Sequence, residues 1–457
     1  MKNFFYILSF LLLLNACQTT KKDSKPDYEI LSGNIRNSPV NKFTLKDVFN
    51  KKTAEIQLDE QGNFSDTLHL PEAYYKMNLG NQYTWMYLKP GDSLKINIDY
   101  NDFDQSLTYQ GKGSNINNYL AAKMLKGIEL RSKTSYKYVG NLKEKDFLRF
   151  TDSVFSIYNR MLSGVKEEKE FVKLEKFKNK VHKNSFLAQY PILRRYMLND
   201  PNFKVSKNYP KVFEGIDPSD STFTIIPQGN QYLSDNIDYL ITKGENTEEV
   251  EPFLRLKAID SLVNNPEMKE YLAKKQAKYY ISYTKNLEGF YQLITKIIKN
   301  PETLQNIKEK YNNLKAISPG TASPDFTAYD INGKEYHLKD FAGKTLYIDL
   351  WATWCSPCRA EIPYLEKLKE KYKGKAINFL SLDVYDDKAK WEKMIKDNKM
   401  GGWQLINTDR DMPFLKKYVV DGIPRFIFLD KEGKIIDANA PRPSEKKLIE
   451  LLDRYID

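Results

Sequence analysis

The chain contains three cysteines, and two of them stand three positions apart in the run Trp354-Cys355-Ser356-Pro357-Cys358. Sulfurs at this spacing can ligate a metal, attach haem, staple the fold or exchange electrons. A zinc site needs two further Cys or His ligands, and the three histidines of the chain are not paired at suitable spacing. Haem attachment needs a His directly after the second Cys, where Arg359 stands. An exported chain can keep structural disulfides, yet no distant cysteine pair exists to staple anything. Electron exchange is left, because a C-x-x-C ring is small enough for either redox state to be accessible. No metal and no cofactor is expected.

The position of the pair supplies its reactivity. Thr345 to Trp351 reads as a buried strand, and a helix follows from Cys355 to about Lys373, its start stiffened by Pro357. A sulfur between strand end and helix start meets unsatisfied backbone N–H groups and the positive end of the helix dipole. Both favour the thiolate, which is the attacking species. Cys355 is therefore expected to be exposed and to attack a substrate disulfide. Cys358, one turn later and more shielded, is expected to resolve the mixed disulfide.

Three kinds of pattern surround this motif. Residues 28–110 alternate polar and apolar with period two, as in Glu55-Ile56-Gln57-Leu58, and predict a β-rich domain. Tyr74, Tyr75, Tyr83, Trp85 and Tyr87 in that stretch suit core or sheet surface better than a sugar site. Residues 114–314 turn helical, with one apolar stripe through Phe147, Phe150, Val154, Ile157 and Met161 and another through Phe290, Leu293, Ile294, Ile297 and Ile298. They show no metal cluster, phosphate loop or Ser/His/Asp arrangement, and His182 among lysines reads as a surface residue. Residues 318–457 alternate strands and helices, the mark of an α/β sheet, and end in a helix from Ser444 to Tyr455 with Ser444 as N-cap. The whole is multidomain: an N-terminal β domain, a helical middle region and a C-terminal α/β domain.

The C-terminal part resembles thioredoxin. Trp354-Cys355-Ser356-Pro357-Cys358 is similar to its W-C-x-P-C signature, with Ser in place of the usual Gly. Asp349 falls where thioredoxin keeps a buried acid, and Gly422-Ile423-Pro424 falls where it has its cis-proline loop. The resemblance implies a thioredoxin-like fold, Asp349 as acceptor of the Cys358 proton, and a cis Pro424 packed on the cysteines. It also implies that Ile423 and Trp354 contact the bound substrate chain. One departure is that the next strand offers no lysine to pair with Asp349. The closer likeness is to TlpA/ResA-like envelope thiol-disulfide oxidoreductases. It rests on Pro324-Asp325-Phe326, on Leu338 to Lys344, and on Trp351-Ala352-Thr353-Trp354-Cys355 running into Arg359-Ala360-Glu361-Ile362-Pro363. These features span about Ser318 to Asp457, and Pro363 is expected to kink the helix.

The N-terminus fits export. Met1-Lys2 precedes the apolar run Phe4 to Leu14, too short for a spanning helix of ~20 residues. Leu14-Asn15-Ala16-Cys17 resembles the lipobox of bacterial lipoproteins, which implies a signal peptide over residues 1–16, a lipid on Cys17 and a polar tether over residues 17–27. The net charge of +11 is scattered, with no block of five or six like charges, so no nucleic-acid arm is expected. The expected partners are disulfide-containing envelope proteins, the membrane through Cys17 and, for a reductase, a membrane electron donor. Strongly oxidising members of the fold place a His between the cysteines, and Ser356-Pro357 favours a reductant. Two rivals stay open. One is a thiol peroxidase, because peroxiredoxins share this fold, although Thr353 lacks the proline that chemistry needs. The other is a client- or glycan-binding lipoprotein with a subordinate redox domain.

Overall fold

The computed structural model describes residues 26–166, 168–198, 200, 203–243, 250–409 and 411–456. The leader and Cys17 lie outside the described residues, so lipidation stays an expectation.

Period-two alternation produces eight strands first: β1 (Glu29–Arg36), β2 (Lys42–Lys46), β3 (Lys52–Gln57), β4 (Asn63–Leu68), β5 (Ala73–Leu79), β6 (Gln82–Leu88), β7 (Ser93–Asp99) and β8 (Thr108–Lys112). They form two four-stranded sheets, ordered β4-β1-β7-β8 and β3-β2-β5-β6. One core collects inward residues of both sheets, including Leu31, Phe43, Met77, Met86 and Ile96. Of the aromatic set, Tyr74, Tyr75 and Tyr87 are buried, Trp85 is half-buried and Tyr83 is exposed. β1 and β7 run parallel and come so close at Gly33 that a Cβ there would lie 1.8 Å from the Ile96 carbonyl oxygen. Glycine is therefore required at that position.

A short helix, α1 (Phe103–Ser106), precedes β8, and α2 (Ser114–Leu130), α3 (Tyr136–Asn141), α4 (Glu144–Met161) and α5 (Lys169–Leu198) follow it. α4 buries Phe147, Thr151, Val154, Phe155 and Tyr158. Phe150, Ile157 and Met161 of the expected stripe are only half-buried. The buried face is rotated because Phe155 and Tyr158 enter the core in their place.

The chain forms two compact units, one reaching to Lys180 with Ile225–Pro227, the other comprising Val181–Thr224 and Gln228–Asp457. The helical stretch is thus shared between the two units and is not a body of its own. Within the second unit come α6 (Gly229–Ile241), α7 (Pro252–Leu262), α8 (Pro266–Tyr279), α9 (Leu287–Ile297) and α10 (Pro301–Ala316). Asn265, Asn286 and Asn300 cap α8, α9 and α10 by accepting from Met268, Gly289 and Thr303 N–H. Phe290, Ile294 and Ile298 pack with Leu256, Ala273 and Ile307 to close this helical layer.

The same unit carries a seven-stranded sheet made of β9 (Thr327–Tyr329), β10 (Glu335–His337), β11 (Thr345–Trp351), β12 (Ile377–Val384), β13 (Trp403–Asn407), β14 (Arg425–Leu429) and β15 (Ile435–Asp437). Its order is β10-β9-β13-β12-β11-β14-β15. β11 is buried at every position, parallel to β12 and antiparallel to β14. Helices α11 (Ser356–Lys371), α12 (Lys388–Asn398), α13 (Pro413–Lys417) and α14 (Lys446–Leu452) accompany it. Pro363 lies inside α11, which continues through it. One core holds Ile348, Leu350, Leu382 and Phe414; a second holds Tyr347, Leu365, Phe428 and Leu448.

The last helix departs from expectation. It begins at Lys446 after the N-cap position Glu445, and Ser444 does not cap it. The Ser444 N–H and hydroxyl both donate to the Glu361 carboxylate at 2.9 Å. A charged acceptor makes the stronger hydrogen bond and draws these donors away from the helix end.

Candidate active site

β11 ends at Trp351, and the chain turns through Ala352-Thr353-Trp354 into α11, whose N-cap is Cys355. The turn is fastened by Thr353 N–H donating to Asp386 Oδ2 at 2.5 Å. Cys355 and Cys358 are joined in a disulfide with Cα atoms 5.3 Å apart. Cys355 Sγ accepts the Cys358 N–H at 3.2 Å, so a first-turn amide of α11 already points at this sulfur. An opened thiolate would keep that donor and the helix dipole, both of which lower a thiol pKa.

Exposure corrects one expectation. Cys355 retains only 4% of its surface, little more than the 2% of Cys358. Both sulfurs lie in a buried cluster with Trp351, Ala352, Trp391 and Ile406. The open feature is instead Trp354, 61% exposed, its indole N–H donating to the Tyr385 carbonyl at 3.4 Å. Facing the pair is the loop before β14. Its Ile423–Pro424 peptide is cis, and the Ile423 carbonyl oxygen lies 3.8 Å from Cys355 Sγ.

Asp349 sits on β11 with 5% of its surface exposed. Burial pushes its carboxyl up to about 7; Lys369 opposes the shift, Glu361 adds to it and Ser381 opposes it. The following strand does lack a lysine, and offers Ser381 directly across in register. The compensating cation comes from α11 instead, where Lys369 also donates to Glu366 and to the Gly401 carbonyl. A group of this kind exchanges a proton near neutrality.

The Asp349→Asn variant should lose its rate advantage on the alkaline side. Disulfide reduction by the natural protein is expected to rise through pH 7, and the variant to run flat and roughly 100-fold slower at pH 8. Stability should move the other way. The folded pKa lies above the unfolded one, so this group's stabilising contribution is complete below about 4 and lost as pH rises through 7. Asp349→Asn should therefore gain about 2–4 kcal/mol at pH 8 in urea unfolding.

Sequence reasoning assigned no role to two further acids. Asp383 on β12, paired in register with Trp351, is fully buried, and both its carboxyl oxygens lack a hydrogen-bond partner among the described residues. Burial, then Asp386 and Asp349, push it up to about 9, so it is neutral at physiological pH. A charged residue inside the apolar run Phe379 to Val384 was the available signal. Glu361, one turn beyond Cys358, is buried at 8% and is among the groups that raise Asp349. It hid among the polar residues of α11.

A sheet with the fully buried β11 in its interior, a cysteine pair opening the helix after it and a cis-proline facing that pair together define a thioredoxin-like protein. Residues 318–452 match the Redoxin family. The chain is 32% identical over 135 residues to the thiol-disulfide oxidoreductase ResA of Bacillus thuringiensis subsp. konkukian, covering 30% of this chain and 77% of that protein. ResA of Bacillus subtilis is 30% identical over 122 residues, 27% of this chain and 67% of the relative. The chain belongs to this family of ResA/TlpA-like thiol-disulfide oxidoreductases. Among solved structures, the thioredoxin domain of a thiol-disulfide oxidoreductase from Bacteroides vulgatus is 30% identical, covering 31% of this chain and 99% of that one, with a TM-score of 0.29.

Proposed function

We propose that the protein is a lipid-tethered reductase of disulfides in cell-envelope proteins. The observation that carries the reading is the Cys355 sulfur held at a helix N-cap, with a first-turn amide at 3.2 Å and the cis-proline loop at 3.8 Å. In the reduced protein the Cys355 thiolate attacks one sulfur of a substrate disulfide. A Cys355–substrate disulfide forms and a substrate thiolate leaves. Asp349 takes the Cys358 proton, and the resulting thiolate attacks Cys355 Sγ, restoring the 355–358 bond and releasing the second substrate thiolate. Two electrons pass to the substrate, and a membrane electron donor supplies the next pair. Ile423 pairs with the substrate backbone, Pro424 packs on the reacting sulfurs and Trp354 offers its exposed ring to substrate side chains. Tethering through Cys17 places this chemistry in the envelope, and Ser356-Pro357 between the cysteines favours the reducing direction.

The test is equilibration with glutathione together with an insulin-reduction assay. The expected potential lies near the −270 mV typical of thioredoxin, at about −250 mV or lower, with insulin reduced and hydrogen peroxide consumed only at background rate. A potential close to the roughly −120 mV of strong oxidants would sink the reductase direction, and fast peroxide turnover would make the protein a peroxidase.

A further inference from the structure

We infer that the helical layer α8–α10 is a positioning clamp on the cis-proline loop, acting through Lys310 and through Arg425. The inference rests on the reading of that loop as the substrate-binding element.

The loop is held from this layer on both sides of Ile423-Pro424. Before the pair, Asp421 takes Lys310 Nζ on both carboxylate oxygens, at 2.8 and 2.6 Å. Lys310, on α10, also donates to the Lys278 carbonyl at the end of α8, 3.1 Å away, which fixes where the ammonium stands. After the pair, Arg425 is fully buried. Its Nη1 donates to Ser282 Oγ at 3.3 Å, and its guanidinium lies 5.2 Å from the centre of the Tyr283 ring, both in the turn after α8. Its Nε donates to the Ala438 carbonyl at 3.0 Å, tying the same side chain to the sheet.

The entry to the loop is anchored too. Val419 has φ +50°, a left-handed conformation that a β-branched residue adopts only under constraint. Its side chain is buried in the helical core with Leu256, Ala277, Phe290 and Ile307. A conformation this unfavourable persists because packing and ion pairing over-determine it.

Such investment outside the sheet makes sense if the loop must present a backbone edge accurately to an incoming chain. A misplacement near 1 Å can cost about 100-fold in rate. Lys310 and Arg425 touch neither sulfur and act only through the loop, so they are positioning residues.

The experiment compares the full chain with Lys310→Ala, Lys310→Arg and Ser282→Ala, using insulin and the small disulfide 5,5′-dithiobis(2-nitrobenzoate). A protein substrate needs the loop as a pairing edge; the small one needs only the sulfur. Lys310→Ala should raise KM for insulin about 10-fold, leave the small-disulfide rate and the pH profile of Cys355 alkylation unchanged, and be largely rescued by Lys310→Arg. Ser282→Ala should shift KM in the same direction by less. The clamp is overturned if insulin KM stays at the wild-type value, even with a lowered Tm, or if both substrates slow equally. Failure of wild-type protein to reduce insulin at all would instead refute the parent reading.

Discussion

Cys358→Ser is expected to convert the protein into a trap: attack proceeds, release fails, and substrate stays disulfide-bonded to Cys355. The asymmetry lies in what each sulfur can reach. Cys355 caps α11, accepts the Cys358 amide at 3.2 Å and sits beside the exposed Trp354, so it is the sulfur an outside chain can meet. Cys358 follows inside the first turn of α11, bonded to the neighbouring sulfur, which is its target once a mixed disulfide has formed. Cys355→Ser should therefore bring reduction to the uncatalysed rate, because serine at that site is not ionised near neutral pH. Cys358→Ser should retain the first step and accumulate a mixed disulfide that dithiothreitol releases. Non-reducing gels and mass spectrometry of the adduct report this directly. Equal trapping by both variants would show that the two sulfurs have exchangeable roles.

The second large effect belongs to the first unit and concerns stability. Glu175 on α5 is completely buried and fully engaged. It accepts from Tyr74 of β5 at 2.7 Å, from Tyr119 at 2.9 Å and Lys123 at 2.6 Å on α2, and from Lys178 one turn along its own helix. Lys123 donates in addition to Asn179 Oδ1 at 2.6 Å, and Asn179 Nδ2 donates to Asn159 Oδ1 of α4 at 2.9 Å. Burial alone would raise the Glu175 carboxyl, yet Lys178 and Lys123 outweigh it and hold the group well below the usual range. Burial and the like charge of Lys178 press Lys123 down to about 8 against the pull of Glu175.

Removing the carboxylate leaves two ammonium groups enclosed without their anion. Glu175→Gln is expected to destabilise by about 3–5 kcal/mol, read from the urea midpoint at pH 7. The pH dependence has a definite sign. A depressed folded pKa means the contribution is present above about 4.5 and lost as pH falls through the lower folded value, so the variant's deficit should shrink in acid. Replacing Glu175, Lys123 and Lys178 together by apolar residues should restore much of the loss, since the penalty arises from unpaired charge. A single variant as stable as the parent would show the network to be dispensable.

How much of this was legible beforehand depended on periodicity and on local motif. β11 fell on the residues expected and α11 within two residues of its expected ends, since an apolar run ending in W-C-x-x-C leaves little choice. The redox pair and the loop opposite it were legible because each is a short run of distinctive residues. Partnerships across long sequence distances were not. Glu175 meets Tyr74 from 101 positions away and Arg425 meets Ser282 from 143, and no local pattern announces either contact. Ser444 looked like a cap because the sequence does not reveal that a buried glutamate waits beside it. The exposure of Cys355 was misjudged for a similar reason: the dipole argument fixes the electrostatics of a helix tip and says nothing about what else packs there.

The bond between Cys355 and Cys358 spans a sequence separation of 3, whereas the strands and helices around it are secured by two apolar layers that need no cross-link. Opening so small a ring frees little chain entropy. Breaking this bond therefore removes no support from either apolar layer. Under the proposed mechanism, selectivity then belongs to the rim of the site and the electrons to its centre.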